Sequence, residues 1–226
     1  DSTESQFEMI KKLELSDKNF KDLFTYAQKK GIMFLSTPFD KGSVDLLDRL
    51  GVPAMKVGSG ELTNLPLLKH IALKQKPVIL STGMSTLDEV TDAVKLLKKE
   101  GSSEIALLHC VSCYPARAED TNLRAMETLR RTFSLPVGLS DHSVGIHIPL
   151  SAVALGACII EKHFTLDKNL PGPDHRASLE PEELKEMVAA IRDVESALGD
   201  GVKAPAAAEE ETKKAARRSL VAREDI

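Results

Sequence analysis

Short apolar runs alternate with amphipathic segments along most of this 226-residue chain. Several of the runs are continuously apolar, which is expected of strands that are covered on both faces. The segments between them carry apolar residues at helical spacing. This alternation is typical of βα units on a parallel sheet. It predicts six strands, at residues 32–36, 54–58, 78–81, 105–109, 137–140 and 158–161.

The spacing of these strands, about 20 to 30 residues, fits an α/β fold of the TIM (β/α)8 barrel type better than an open sheet. No Gly-x-Gly-x-x-Gly motif follows the first strand, so the dinucleotide-binding fold lacks its fingerprint. A closed barrel needs eight strands, and residues 6–15 read as a helix that would follow a second strand. We therefore expect residues 1–202 to form a barrel domain with the first two strands missing from this chain.

Several helix ends can be read from the sequence. Ser16 can cap a helix, and residues 43–50 carry an apolar stripe. Ser85 and Asp88 have the spacing of a capping box, and Pro181 suits the first turn of a long helix. After that helix, residues 203–226 begin rich in Ala, Pro and Glu and are predicted to be a linker.

The composition excludes some classes of function. With 30 basic and 34 acidic residues the net charge is -4, so the chain has no basic footprint for nucleic acid. It has no apolar run of about 18 residues, and we expect no membrane span. The N-terminus lacks the segments of a signal peptide, which makes the cytoplasm the default location. Cys110, Cys113 and Cys158 are interpreted as plain buried thiols rather than as a redox or zinc pair.

Polar residues follow each predicted strand, at the end where a parallel barrel places its functional groups. A polar cluster after one strand is common in any fold. Clusters at the same end of six strands predict a shared site at the mouth of the barrel. The clusters are Ser36-Thr37, Lys56 with Ser59, Ser81-Thr-Gly83, residues 109–114, Ser140-Asp-His142 and Glu161-Lys-His163.

The last two clusters indicate a metal site. Ser140 and His142 share one strand face, as do Glu161 and His163. If both faces point inward, the two imidazoles converge, with Glu161 and Asp141 nearby as ligands, orienters or bases. The alternative is that each histidine is a hydrogen-bonded structural residue. For Lys56, the alternative to a ligand contact is a surface lysine with a buried stem.

Seven motifs in order resemble one known family over essentially the whole chain. They are Ser36-Thr-Pro-Phe39, Lys56-Val-Gly-Ser-Gly-Glu61, Ser81-Thr-Gly-Met84, His109-Cys…Tyr114-Pro115, Ser140-Asp-His142, Glu161-Lys-His-Phe-Thr165 and Pro171-Gly-Pro-Asp174. Together they closely resemble the sialic acid synthase family, also called N-acetylneuraminate synthases.

The resemblance implies a metal-dependent transferase that condenses phosphoenolpyruvate with N-acetylmannosamine, or a related N-acylated aldose, to a nine-carbon sialic acid and phosphate. It implies that His142 and His163 hold Mn²⁺ or Mg²⁺ and that both act in catalysis with Glu161, which would handle a proton. Position 112 is asparagine in some members. The implied substrate-binding residues are Thr37, Lys56, Ser59, Ser81 and Ser140 for phosphoenolpyruvate, and Ser112, Tyr114 and Asp174 with Glu161 around the sugar.

The chain also departs from the family pattern. Members begin with two strands whose glutamate and lysine contact substrate, and they end in a small antifreeze-like domain. That domain lends an arginine to the partner's site, so a homodimer is expected. Both segments are absent from this sequence. We therefore expect a polypeptide of these 226 residues to be weakly active or inactive; full specific activity would contradict this.

Three alternatives stay open. Legionaminic or pseudaminic acid synthases act on a diacetamido sugar. Octulosonate or heptulosonate phosphate synthases would need a further basic cluster for a second phosphate, which the sequence does not show. A non-catalytic fragment whose exposed sheet edges pair with another chain is the alternative from a different class.

Overall fold

A single parallel sheet organises the computed structural model, which describes residues 5–172, 174–221 and 223–224. The predicted domain limits at residues 1 and 226, and Pro173 of the 171–174 motif, lie outside the described residues. Strand order along the sheet follows chain order. The strands are β1 (Met55–Val57), β2 (Val78–Ser81), β3 (Ile105–Cys110), β4 (Val137–Asp141) and β5 (Ile160–Lys162).

Helices separate the strands along the chain, as the alternating pattern predicts. In the described ranges they are α1 (Gln6–Leu13), α2 (Asp17–Lys29), α3 (Lys41–Leu50), α4 (Leu65–Ala72), α5 (Leu87–Lys99), α6 (Ala125–Phe133), α7 (His147–Ala154), α8 (Pro181–Leu198) and α9 (Glu210–Ala216). Strand residues such as Met55, Leu80 and Leu107 are fully buried against helix residues such as Leu68 and Leu97. None of these helices is long and apolar enough to cross a bilayer.

The sheet is curled. Lys56 on β1 and Glu161 on β5 belong to its two outermost strands, yet their charged atoms lie 3.4 Å apart. In a flat sheet four strand spacings would separate them by about 19 Å, too far for two side chains to meet. The predicted α/β fold is therefore confirmed, and the described strands form half of a barrel.

The first predicted strand, residues 32–36, is wrong. This segment has no regular secondary structure and pairs with no strand in the part of the chain that the structure describes. Ile32 and Met33 are 67% and 68% exposed, and Phe34 alone among these packs on the core, edge-on to Phe24. An apolar run predicts extended backbone, but a strand also needs a hydrogen-bonded neighbour.

One local prediction also changes. The capping box of α5 is formed by Thr86 and Glu89, one residue later than the predicted Ser85 and Asp88, because the Ser85 hydroxyl donates to the Gly83 carbonyl. The predicted linker contains α9, whose residues are not buried. The cap at Ser16 and the first-turn position of Pro181 are confirmed.

Candidate functional site

A buried lysine lies at the concave end of the sheet. Lys56 is only 7% exposed, and its ammonium donates a hydrogen bond to Ser81 Oγ at 2.9 Å. The same ammonium forms the ion pair with Glu161. The surface-lysine interpretation is therefore wrong: Lys56 holds a positive charge inside the curl of the sheet.

A second contact ties the far strands to this lysine. Ser140 and Glu161 are directly paired across β4 and β5, and the Ser140 hydroxyl donates to Glu161 Oε1 at 2.6 Å. Residues Ser81, Lys56, Glu161 and Ser140 thus form one polar chain that reaches across four strands.

Two histidines lie beside this polar chain. The rings of His142 and His163 have centroids 5.2 Å apart and planes at 69°. His142 Nδ1 lies 2.8 Å from the Val111 carbonyl, which can only accept, so Nδ1 carries hydrogen and Nε2 keeps a lone pair in the neutral ring. Tyr114 packs against both rings, with centroids 4.2 Å from His142 and 5.5 Å from His163.

Small polar groups form the floor between β1, β2 and β3. The Gly83 N–H donates to Ser59 Oγ at 3.0 Å. A β-carbon at Gly83 would lie 2.5 Å from Ser112 Oγ, which shows how closely Ser112 approaches this backbone. The floor therefore offers the hydroxyls of Ser59 and Ser112 to a ligand.

Sequence reasoning missed Cys110 as a member of the site. Its thiol lies 3.8 Å from His142 Nδ1 and 4.0 Å from Ser112 Oγ. Cys110 pairs with Ser140 in the sheet register. The two-residue period of the strand, which places Cys110 on the same face as Ser140, is the signal that could have identified it. Only Cys110 is buried; Cys113 and Cys158 are exposed, so the prediction of three buried thiols is wrong for two.

The surroundings shift the acidity of the ionisable groups here. Burial lowers the pKa of His142, but hydrogen bonds with Cys110 and the Val111 carbonyl outweigh it, so the pKa is raised. Burial raises the pKa of Cys110, but hydrogen bonds with His142 and Ser59 bring it below its usual value. Burial lowers the pKa of His163, which is therefore neutral over a wider range. Burial also raises the pKa of the Tyr114 phenol.

The remaining predicted residues lie around this centre. Asp174 Oδ2 is 3.9 Å from His163 Nδ1. Thr37 lies beside Gly58, at the end of β1. Asp141, expected near the imidazoles, instead points to the opposite face of β4 and forms an ion pair with Lys162.

A divalent metal is implied by the family resemblance, and the residues fit one in part. The described residues contain no group of three or more His, Cys, Asp or Glu side chains arranged to hold an ion. His142 and His163 could supply two nitrogen ligands, because Nε2 of His142 keeps its lone pair. Imidazole ligands favour Mn²⁺ over Mg²⁺. Water and substrate would complete such a site.

Comparison with known proteins gives a consistent family. The model of the NeuB family matches residues 1–203. The chain is 54% identical over 225 residues to the N,N'-diacetyllegionaminic acid synthase of Campylobacter jejuni, covering 99% of this chain and 67% of that protein. It is 50% identical over 226 residues to the Legionella pneumophila protein of the same name, covering 98% of this chain and 64% of that one.

A solved structure agrees. The N-acetylneuraminic acid (sialic acid) synthetase of Leptospira borgpetersenii, in complex with citrate, superimposes with a TM-score of 0.82 at 42% identity, covering 91% of this chain and 73% of that one. The chain spans about two thirds of the length of the curated relatives it matches. Since the family model covers most of the sequence and the fold agrees, the chain belongs to the NeuB family.

Proposed function

We propose that this protein condenses phosphoenolpyruvate with an N-acylated amino sugar to a nine-carbon sialic-type acid and phosphate. One observation carries the proposal. The buried ammonium of Lys56 contacts both Ser81 and Glu161 at the concave end of the sheet, beside the His142–His163 pair. A buried cation that contacts a serine hydroxyl can hold a small anion.

Phosphoenolpyruvate binding depends on a local charge, because the chain as a whole is acidic with a net charge of -4. Lys56 supplies that charge. The hydroxyls of Ser59 and Ser81 accept hydrogen bonds from the Gly83 N–H and from Lys56, so their own hydrogens can be donated to phosphate or carboxylate oxygens. Ser140 is proposed to line the same site. Burial of Lys56 away from water strengthens its attraction for an anion. Thr37 is proposed at the edge of the same site.

His142 and His163 would hold the divalent ion, which when bound would polarise the aldehyde of the open-chain sugar. Tyr114, which packs on both rings, is proposed to border the sugar together with Ser112 and Asp174. Holding the two reactants in line can supply much of the rate enhancement.

The reaction balances as follows. The methylene carbon of phosphoenolpyruvate forms a bond to the aldehyde carbon, and the aldehyde oxygen takes a proton. Water adds to the adjacent cationic carbon and loses a proton, for which Glu161 is the acceptor that we propose. The bond between that carbon and the bridging oxygen then breaks, phosphate leaves with the oxygen and takes the proton of the newly formed hydroxyl, and a 2-keto acid remains. Glu161 suits this role because Ser140 and Lys56 hold its two oxygens.

Two curated relatives bear the name N,N'-diacetyllegionaminic acid synthase, and this favours a diacetamido sugar as the aldose. N-Acetylmannosamine is the other candidate, supported by the likeness to a sialic acid synthetase. Both candidates share the N-acyl group and the aldehyde that the proposed chemistry needs.

Phosphate release tests the activity. The product of the gene that encodes this chain is incubated with Mn²⁺, phosphoenolpyruvate and, separately, N-acetylmannosamine, diacetamido sugars and aldose phosphates. We expect phosphate release with an N-acylated aldose, and transfer of an ¹⁸O label from the bridging position into phosphate. Release with aldose phosphates alone, or label retained in the keto acid, would refute the proposal. The 226-residue chain is assayed in parallel, since we expect it to be weakly active or inactive.

Glu161→Gln tests the proton acceptor. We expect kcat to fall about 100- to 10,000-fold, the usual range for a general acid or base. Glu182→Gln is the matched control, because that carboxylate lies on the solvent side of α8 with 88% of its side chain exposed. Equal turnover in the two variants would exclude Glu161 from proton transfer.

We also propose, from the family resemblance, that the protein is a cytoplasmic homodimer. Size-exclusion chromatography with light scattering tests the oligomeric state. A monomer at micromolar concentration would contradict it.

A further inference from the structure

A second ion pair ties β4 to β5 on the face away from the site. Lys162 and Asp141 are directly paired in the register, and their side chains are 2% and 0% exposed. The Lys162 ammonium lies 2.5 Å from Asp141 Oδ2 and also donates to the Ser143 carbonyl. The neighbouring register pair, Ser140 and Glu161, faces the site, because successive residues of a strand point to opposite faces.

The same carboxylate holds the turn that follows β4. Asp141 Oδ1 accepts from the Ser143 N–H and Oδ2 accepts from the Ser143 hydroxyl, both at 3.0 Å. Together with the Lys162 contact, all three polar groups of Ser143 are bound from the far face of the sheet.

His142 is the one residue between these anchors. Its carbonyl accepts from the Ala116 N–H at 2.9 Å, and its Nδ1 meets the Val111 carbonyl. The backbone on both sides of His142 is therefore fixed by buried contacts, and the ring is left to turn only about its own side-chain bonds.

We infer that Asp141 and Lys162 are positioning residues whose ion pair holds the 141–143 turn, so that His142 keeps Nδ1 on the Val111 carbonyl and offers Nε2 to the site. The inference rests on the proposed function for its consequence, since the presented Nε2 is the nitrogen that a metal would need. The partners that orient a metal-binding imidazole commonly change metal affinity 10- to 100-fold when they are lost.

Three variants of the full 226-residue chain separate positioning from stability. Lys162→Met leaves the Asp141 carboxylate buried without its cation. Asp141→Asn combined with Lys162→Met removes both charges while keeping an acceptor for the Ser143 N–H. Lys74→Met is the control, because it removes a similarly short ion pair, 2.6 Å, between the turn that follows α4 and Asp45 on α3.

Each variant is measured by denaturant unfolding, by the imidazole tautomer in ¹H–¹⁵N spectra of histidine-labelled protein, and by Co²⁺ titration. The spectra are taken at a pH of about 8.5, where imidazoles are mostly neutral, and His142→Gln assigns the resonance. In the unsubstituted chain we expect the Nδ1–H tautomer of His142.

Lys162→Met should lower stability, populate the other tautomer and weaken Co²⁺ binding at least about 10-fold. The double variant should regain much of the stability, because replacing both members of a buried pair is often tolerated. The double variant should nevertheless keep the mixture of His142 tautomers and the weak Co²⁺ binding. Lys74→Met should leave both the tautomer and the Co²⁺ affinity unchanged.

An unchanged tautomer in both Lys162 variants would overturn the inference. Recovery of both stability and Co²⁺ affinity in the double variant would also overturn it, because an ion pair with a purely structural role would affect Co²⁺ binding only through stability. If the unsubstituted chain binds no Co²⁺, the metal component of the proposed function fails, while the His142 tautomer still decides whether Asp141 and Lys162 position the ring.

Discussion

Gly83→Ala is the sharpest test of the floor of the site. Gly83 is buried, and an added β-carbon would lie 2.5 Å from Ser112 Oγ, 2.8 Å from Ser59 Oγ and 3.1 Å from Cys110 Sγ. Real contacts of a β-carbon are essentially never shorter than 3.0 Å. Both hydroxyls must therefore move, although the backbone of Gly83 itself can accept an L side chain.

The cost can be worked from these contacts. Displacing Ser59 Oγ breaks its hydrogen bond with the Gly83 N–H, which contributes about 0.5 to 1.5 kcal/mol. Pushing the serines from their preferred rotamers costs of order 0.5 to 1.5 kcal/mol each. Since the side chains can relax partly, we expect a loss of about 1 to 3 kcal/mol in the free energy of unfolding. If Ser59 and Ser112 contact substrates, phosphoenolpyruvate binding should weaken about 10-fold or more.

Urea unfolding and calorimetric titration with phosphoenolpyruvate measure the two effects. Gly60→Ala is the matched control, because a β-carbon there meets no atom within 4 Å. If Gly83→Ala and Gly60→Ala have the same midpoint of unfolding and the same affinity, the packing argument for this floor is refuted.

Three further predictions follow from other contacts. Lys56→Met should weaken phosphoenolpyruvate binding at least about 10-fold in the same titration, because it removes the buried cation; equal affinity would contradict the proposed anion site. Thr86→Ala should lower the free energy of unfolding by about 1 kcal/mol and Ser85→Ala by less, since Thr86 caps α5; the reverse order in urea unfolding would refute the assignment. Hydrogen bonds from Lys74 and His70 lower the pKa of Asp45 below its ordinary 3.8, so this carboxylate stabilises the fold above that pH and less as the pH falls. The difference in unfolding midpoint between the unsubstituted chain and Asp45→Asn should therefore become smaller as the pH is lowered into the acid range. A difference that grows as the pH falls would contradict this prediction.

Local pattern was enough to predict most elements. Five of the six predicted strands form, because a continuous apolar run bounded by polar residues favours a strand that is buried on both faces. The helices that follow Ser16 and begin at Pro181 also form as predicted, since caps are determined by residues only three positions apart. The segment at residues 32–36 failed because strand formation depends on a neighbour that local pattern does not contain.

The sequence by itself determined which residues gather at one end of the sheet, because parallel strands bring their carboxyl ends to a common edge. It also determined that Ser140 and Glu161 share a face with the histidines that follow them. These properties depend on the two-residue period of a strand, which is a property of the chain alone.

Only the tertiary structure decided which of these residues touch. The curl of the sheet brings Lys56 to Glu161 across the mouth, and the β4–β5 register pairs Asp141 with Lys162 on the hidden face. The position of Cys110 against His142 likewise depends on how β3 lies beside β4. Such contacts join residues far apart in the chain, and their distances are determined by curvature and register, which arise only when all the strands pack together.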